Sequence, residues 1–161
     1  MNYLGIQPEQ LTNTTKELNT LLASYHIYYQ NLRNFHWNIE GENFFELHEK
    51  FEELYMDARD QIDQIAERVL TLRSHPLSRL SAYLATSKIP EANILSEDRA
   101  MVITLLENHK ILIEQMRGIL KVAGEAEDEG TIDLISSFLE SLEKKSWMLD
   151  AWTTRKDVVM A

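Results

Sequence analysis

Residues 77–90, LSRLSAYLATSKIP, lie between the pair His75-Pro76 and a helix-starting SED at residues 96–98. The stretch reads as one short helix inside a long connection, and that length decides the topology. Short links throughout would give an up-and-down bundle, whereas a long crossover between the second and third long helices lets those two run parallel. The segment before it, from about Phe44 to Leu72, is a helix whose buried side carries Leu47, Phe51, Leu54, Tyr55, Ala58, Ile62, Ile65, Ala66 and Val69. It is expected to stop before His75 and Pro76, because the residue ahead of a proline is driven out of helical conformation.

Farther upstream, large side chains recur at Leu18, Leu21, Leu22, Tyr25, Tyr28, Tyr29, Leu32 and Phe35, spaced by three and four as a helix seam requires. Pro8 suits the first turn of this helix, and Asn38 to Asn43, containing Gly41, suits its end and the following turn. Downstream, Ser96 is a candidate cap for a third long helix with Glu97 and Asp98 in its first turn. That helix carries Met101, Leu105, Leu112, Met116 and Leu120 to about Gly124. The acidic GEAEDEG is the next break, and a fourth helix from about Thr131 to Thr153 turns Leu134, Phe138, Leu142 and Leu149 inward. With no strand-like alternation, low-complexity linker or strong repeat, the expected fold is all-α. It is a four-helix bundle with a short extra helix in the crossover between helices two and three, in one domain over residues 1–161.

The chain's 161 residues, 44% of them hydrophobic, suit one domain with a sizeable core. No stretch reaches the roughly 18 apolar residues of a membrane span, and the start, MNYLGIQPEQ, lacks the basic and apolar regions of an export signal, so the expectation is cytoplasmic. The absence of cysteine excludes disulfides and thiolate metal sites. Any metal must then be held by imidazole and carboxylate, which favours iron, zinc or manganese over copper(I). A formal charge of -10 opposes phosphate backbones on average. A basic arm that would offset it is missing: no Lys or Arg precedes Lys16, and the C-terminal stretch offers Arg155 and Lys156 beside Asp157.

The second helix carries a polar stripe. With His48 at zero, Glu52 falls near 40°, Asp63 near 60° and Glu67 near 100° for about 100° per residue. Singly, each has an ordinary explanation: His48 as a surface residue near a helix start, Glu52 as a capping or solvent-facing acid, Asp63 and Glu67 as partners of Arg59 or Arg68. Together they are more informative, because His48 and Asp63 are roughly 22 Å apart along the axis and cannot share a metal within one chain. His36 closes the first helix, and an antiparallel hairpin would bring it near His48. One chain then has a two-histidine end and a two-carboxylate end, with Asp63 and Glu67 one turn apart. A two-fold axis between two copies of the helix would build two complete sites, each with His36, His48 and Glu52 from one subunit and Asp63 and Glu67 from the other. The alternative, a di-iron site within one bundle, uses Glu-x-x-His motifs, and none of the five histidines has a Glu three residues before it.

The run FHWNIEGENFFELHEKFEELY, followed by DQIAERVL and more weakly by TIDLISSFLESLEKKSWMLDAW, resembles the Dps proteins, the miniferritins of the ferritin-like superfamily. HW and LH separated by a glycine-bearing turn, then D-x-x-A-E-R, carry the likeness, which covers the whole domain. The resemblance implies a hollow dodecamer of tetrahedral symmetry whose intersubunit sites oxidise Fe(II), usually with hydrogen peroxide in preference to dioxygen, and whose cavity stores the ferric mineral. It implies His36, His48, Asp63 and Glu67 as ferroxidase iron ligands, with Glu52 at a position that is often Asp in the family. By the same likeness Trp37 lies near the site and intercepts oxidising equivalents, unless it only packs a helix end. Glu49 and Glu53 are candidates for mineral nucleation or plain solvent-facing acids. Asp128, Glu129 and Asp133 are candidates for the iron-entry pore, although acids favour helix starts in any case.

His26, His75 and His109 receive no metal role, and Trp147 and Trp152 are read as bundle or interface packing. The leading function is an iron-oxidising and iron-storing cage that protects against oxidative damage. A DNA-compacting module of the same fold is the alternative, disfavoured by the charge and the lack of a lysine-rich tail. A metal-free helical interaction protein is a third possibility that the apolar seams alone would permit.

Overall fold

The computed structural model describes residues 1–154, and Arg155 and Lys156 lie outside them. Four long helices form the bundle: α1 (Thr12–Asn38), α2 (Phe44–Thr71), α4 (Asp98–Glu125) and α5 (Glu129–Thr153). The short α3 (Leu80–Thr86) sits in the crossover and packs on α1. α1 pairs with α2 and α4 with α5 as hairpins, and α1 against α4 joins the two. The core is continuous, from Leu18, Leu21 and Phe35 of α1 through Phe51 and Ile65 of α2 to Met101, Leu105 and Met116 of α4 and Ile135 of α5.

The direction of each helix follows from contacts at its ends. Asn43, before α2, donates to the Asp98 carboxylate at the start of α4 (2.6 Å). At the other end Arg68, late in α2, pairs with Asp128, which follows α4. α2 and α4 therefore run parallel, and the crossover between them must return the full length of the bundle. That is the topology the long connection predicts.

Several boundaries differ from those expected. Pro8 begins a separate 3-10 turn, Pro8–Leu11, rather than the first turn of α1. Glu97, not Ser96, occupies the position before α4, without a side-chain bond to the helix, and the helix begins at Asp98. α5 begins two residues early, because the Asp128 side chain accepts from the Thr131 backbone N–H (3.1 Å) and fixes the helix start. α2 stops before the His75-Pro76 pair by its own backbone. Ser74 N–H bonds the Val69 carbonyl (3.1 Å) and Arg73 N–H the Leu70 carbonyl (2.8 Å), with Arg73 at φ 63. This is a Schellman closure. α4 ends the same way: Asp128 N–H bonds Ala123 O (2.9 Å), Glu127 N–H bonds Gly124 O (3.2 Å), and Glu127 has φ 55. Gly124 thus lies inside the last turn and Glu127 takes the left-handed position.

Candidate metal centre

The turn between α1 and α2 places the histidines. Gly41 adopts φ 96, a left-handed conformation that side chains disfavour. Phe44 N–H then bonds the Gly41 carbonyl (3.2 Å) and starts α2. The reversal brings His36, in the last turn of α1, against His48, in the second turn of α2, with ring centroids 3.8 Å apart and planes 18° from parallel.

Each ring bonds the other residue's backbone. His36 Nδ1 lies 2.7 Å from the His48 carbonyl, and His48 Nδ1 lies 2.8 Å from the His36 carbonyl. A carbonyl only accepts, so both Nδ1 atoms carry the proton. In the neutral rings both Nε2 lone pairs are then left for a metal, the arrangement in which a second hydrogen bond sets a ligand's tautomer. The His36 carbonyl is free to accept because it lies in the last turn of α1, where no following helical N–H reaches it. His36 is buried, whereas His48 is half-exposed.

The imidazole pair is held in an aromatic column. Phe44 stacks on His48 (5.0 Å, 20°), Tyr55 meets His36 edge-on (5.3 Å, 82°), and Tyr29 meets Tyr55 (6.0 Å, 77°). Tyr55 Oη also donates to the Glu52 carboxylate, at a long 3.4 Å. Burial is the first cause raising the Tyr55 phenol above its usual pKa, and the Glu52 charge adds to it. Sequence periodicity assigns Tyr55 to the core seam and gives no sign of this double contact. The clue was available in its spacing, three residues after Glu52 and seven after His48 on one helix face.

Asp63 and Glu67 are exposed at the other end of the same uninterrupted helix. Their ordinary explanation fails, because Arg59 pairs with its neighbour Asp60 (3.1 Å) and Arg68 turns to Asp128 and Thr131. Among the described residues the carboxylates of Asp63 and Glu67 make no ion pair or hydrogen bond. Nor, among the described residues, do three or more His, Asp or Glu side chains gather as a metal group within one chain. The structure brings His36, His48 and Glu52 to one end and leaves Asp63 and Glu67 at the other.

The remaining candidates divide. Trp37 is 59% exposed, with the Arg33 guanidinium 4.8 Å from its ring centroid, so within one chain it does not pack a helix end. Glu49 is exposed, and Glu53 pairs with Lys50 (2.6 Å). Asp128 is buried, its carboxylate engaged by Arg68, the Thr131 backbone and the Thr131 hydroxyl, while Glu129 and Asp133 are exposed. The bare Cα of Gly130 makes room for that Arg68 guanidinium, since a Cβ there would lie 2.7 Å from it. His26 stacks on Tyr83 (3.8 Å), and His109 is buried in the bundle. Trp152 is half-buried against the core, whereas Trp147 is 66% exposed.

Residues 15–157 match the ferritin-like domain model. A protein from Porphyromonas gingivalis named "DNA protection during starvation protein" is 41% identical over 94% of this chain and 95% of its own length. Among solved structures, the Dps protein from Vibrio cholerae O1, described as a member of a broad superfamily of ferritin-like diiron-carboxylate proteins, superposes with a TM-score of 0.93 at 43% identity. That superposition covers 96% of this chain and 97% of the other. The chain belongs to the Dps family. Dps from Bacillus brevis is also similar, at 38% identity and TM-score 0.89, covering 92% of this chain and all of that one (100%). Membership in the Dps family supports iron storage and stress protection as the general function, with the ferroxidase-type activity that the ferritin-like diiron-carboxylate superfamily implies. No described helix is long and apolar enough to cross a membrane.

Proposed function

We propose that this chain forms a cytoplasmic cage, a dodecamer, that oxidises Fe(II) at sites shared between two subunits and stores the ferric product. One observation carries the reading: two imidazoles have Nδ1 tied to carbonyls and Nε2 free, while two carboxylates without a partner among the described residues stand on the same helix about 22 Å away. Neither end suffices alone. A two-fold axis across α2 joins the histidine end of one chain to the carboxylate end of the other, so His36, His48 and Glu52 face Asp63 and Glu67 of the partner subunit twice over.

The donor set suits iron as the substrate, since imidazole and carboxylate bind both oxidation states and no thiolate competes. The chain's own part is positional. Helix ends and backbone carbonyls set the rings, and the carboxylates neutralise charge that grows as Fe(II) becomes Fe(III). Hydrogen peroxide is the preferred oxidant in this reading. Two Fe(II) each give one electron, the O–O bond is cleaved, and two protons complete two waters, so no hydroxyl radical leaves. Trp37, exposed one residue from His36, intercepts oxidising equivalents that escape. Glu49 and Glu53 nucleate mineral on the cavity side. Glu129 and Asp133 supply the solvent-facing acid of the entry pore, with Asp128 shaping the helix start beneath them.

DNA compaction is disfavoured by the net charge of -10 and by an N-terminal stretch held on the body, where Tyr3 Oη donates to the Thr71 carbonyl (3.0 Å). The decisive experiment combines His48→Ala with Asp63→Ala. Peroxide-dependent Fe(II) oxidation is expected to fall at least a hundredfold with helical content unchanged, and wild-type kinetics in the double variant would remove both residues from the reaction.

A further inference from the structure

Tyr55 touches two of the three metal-facing groups at the histidine end. Its ring edge meets His36, and its hydroxyl donates to Glu52. Its other side rests on Tyr29, which is itself covered by the Arg33 guanidinium 5.0 Å from the ring centroid. The aromatic column therefore has two stops. Phe44 bounds it beyond His48, and the Tyr55–Tyr29 pair bounds it beyond His36. Without Tyr55 the Glu52 side chain is an exposed acid with three free torsions and no other hydrogen-bond partner among the described residues.

We infer that Tyr55 is a positioning residue that couples the His36 ring to the Glu52 carboxylate, so that this half of the site is set before metal arrives. The inference rests on the reading of His36, His48 and Glu52 as metal ligands. Its physical basis is entropy: a carboxylate already held by the phenol loses less freedom on binding a cation than one that searches solvent. Glu52 needs such a hold more than a shorter acid would, because its extra methylene adds a rotatable bond. The hydroxyl stays bonded to one carboxylate oxygen, and the other oxygen remains for the metal.

The test is calorimetric titration of redox-inert Zn(II) into the assembled protein, comparing wild type, Tyr55→Phe, Glu52→Ala and the pair combined. Tyr55→Phe keeps the ring and its packing and removes one oxygen whose partner is exposed, so helical content and particle size are expected to stay as in wild type. Zn(II) affinity is expected to fall on the order of three- to tenfold in Tyr55→Phe. In the Glu52→Ala background the same change should cost less than twofold, since the phenol then holds nothing. In Fe(II) oxidation the loss should appear in KM rather than kcat. Equal Zn(II) affinity in Tyr55→Phe, or losses that simply multiply in the double variant, would overturn the coupling. His48→Ala separates the two levels. If it binds Zn(II) like wild type, the site itself is misassigned; if it loses Zn(II) while Tyr55→Phe does not, only the role of Tyr55 fails.

Discussion

At the scale of single residues, the most deeply buried histidine is His109, and its surroundings determine every proton. Ser146 Oγ donates to the Leu142 carbonyl (2.7 Å), so it accepts from His109 Nδ1 (2.8 Å), and His109 Nε2 accepts from Tyr28 Oη (2.7 Å). The chain of bonds ties α1, α4 and α5 together around a neutral imidazole, and burial lowers the His109 pKa to about 3. The folded pKa lies below the unfolded value near 6.5, so between those limits the unfolded state takes up a proton that the native state refuses. Stability from this group is complete above about pH 6.5 and is lost as pH falls toward 3. His109→Gln offers the same donor and acceptor without the titration. Urea unfolding at pH 7 and pH 4.5 should show wild type losing roughly 1 to 3 kcal/mol more than His109→Gln, and equal losses would mean that His109 does not govern acid stability. The sequence leaves His109 outside the metal-site pattern of His48 but does not show its buried bond chain, because burial between helices distant in the chain is what creates it.

At the scale of elements, apolar periodicity finds all four long helices, and their ends are where it falls short. A helix stop is usually sought at glycine or proline, yet α2 and α4 close with Arg73 and Glu127 in the left-handed position. Both tolerate it because two backbone hydrogen bonds in each closure outweigh the steric cost of a Cβ there, about 1 kcal/mol. Arg73 is also drawn down by its contact with Met1 and by the Tyr3 ring. Glu127 has no such compensation among the described residues. Glu127→Gly is therefore expected to stabilise the protein by about 0.5 to 1 kcal/mol, read as a higher unfolding midpoint at unchanged m-value. A lower midpoint would show that the Glu127 side chain makes a stabilising contact.

At the scale of the whole molecule, one chain presents two half-sites, and the proposed function requires a partner. The native particle is then expected to sediment far above an 18.8 kDa monomer. Complementation gives a sharper test. Assemblies inactivated at His36 and His48, dissociated and mixed equally with assemblies inactivated at Asp63 and Glu67, should recover about a quarter of wild-type sites. Half of the random pairs are mixed, and each mixed pair has one of its two sites intact. No recovery after demonstrated subunit exchange would contradict a site shared across a two-fold axis.

The sequence by itself determined the helical bundle, the long crossover and the distance between His48 and Asp63, because each depends on local periodicity and a fixed rise per residue. It also marked His36 and His48 as neighbours across a glycine turn. Only the tertiary structure decided what those neighbours do: which nitrogen of each ring is free, that Tyr55 joins His36 to Glu52, and that Asp128 is buried beneath Arg68 rather than open to solvent. Those outcomes depend on which side chains and carbonyls meet from separate helices, and a linear pattern carries no information about the angle at which two helices bring them together.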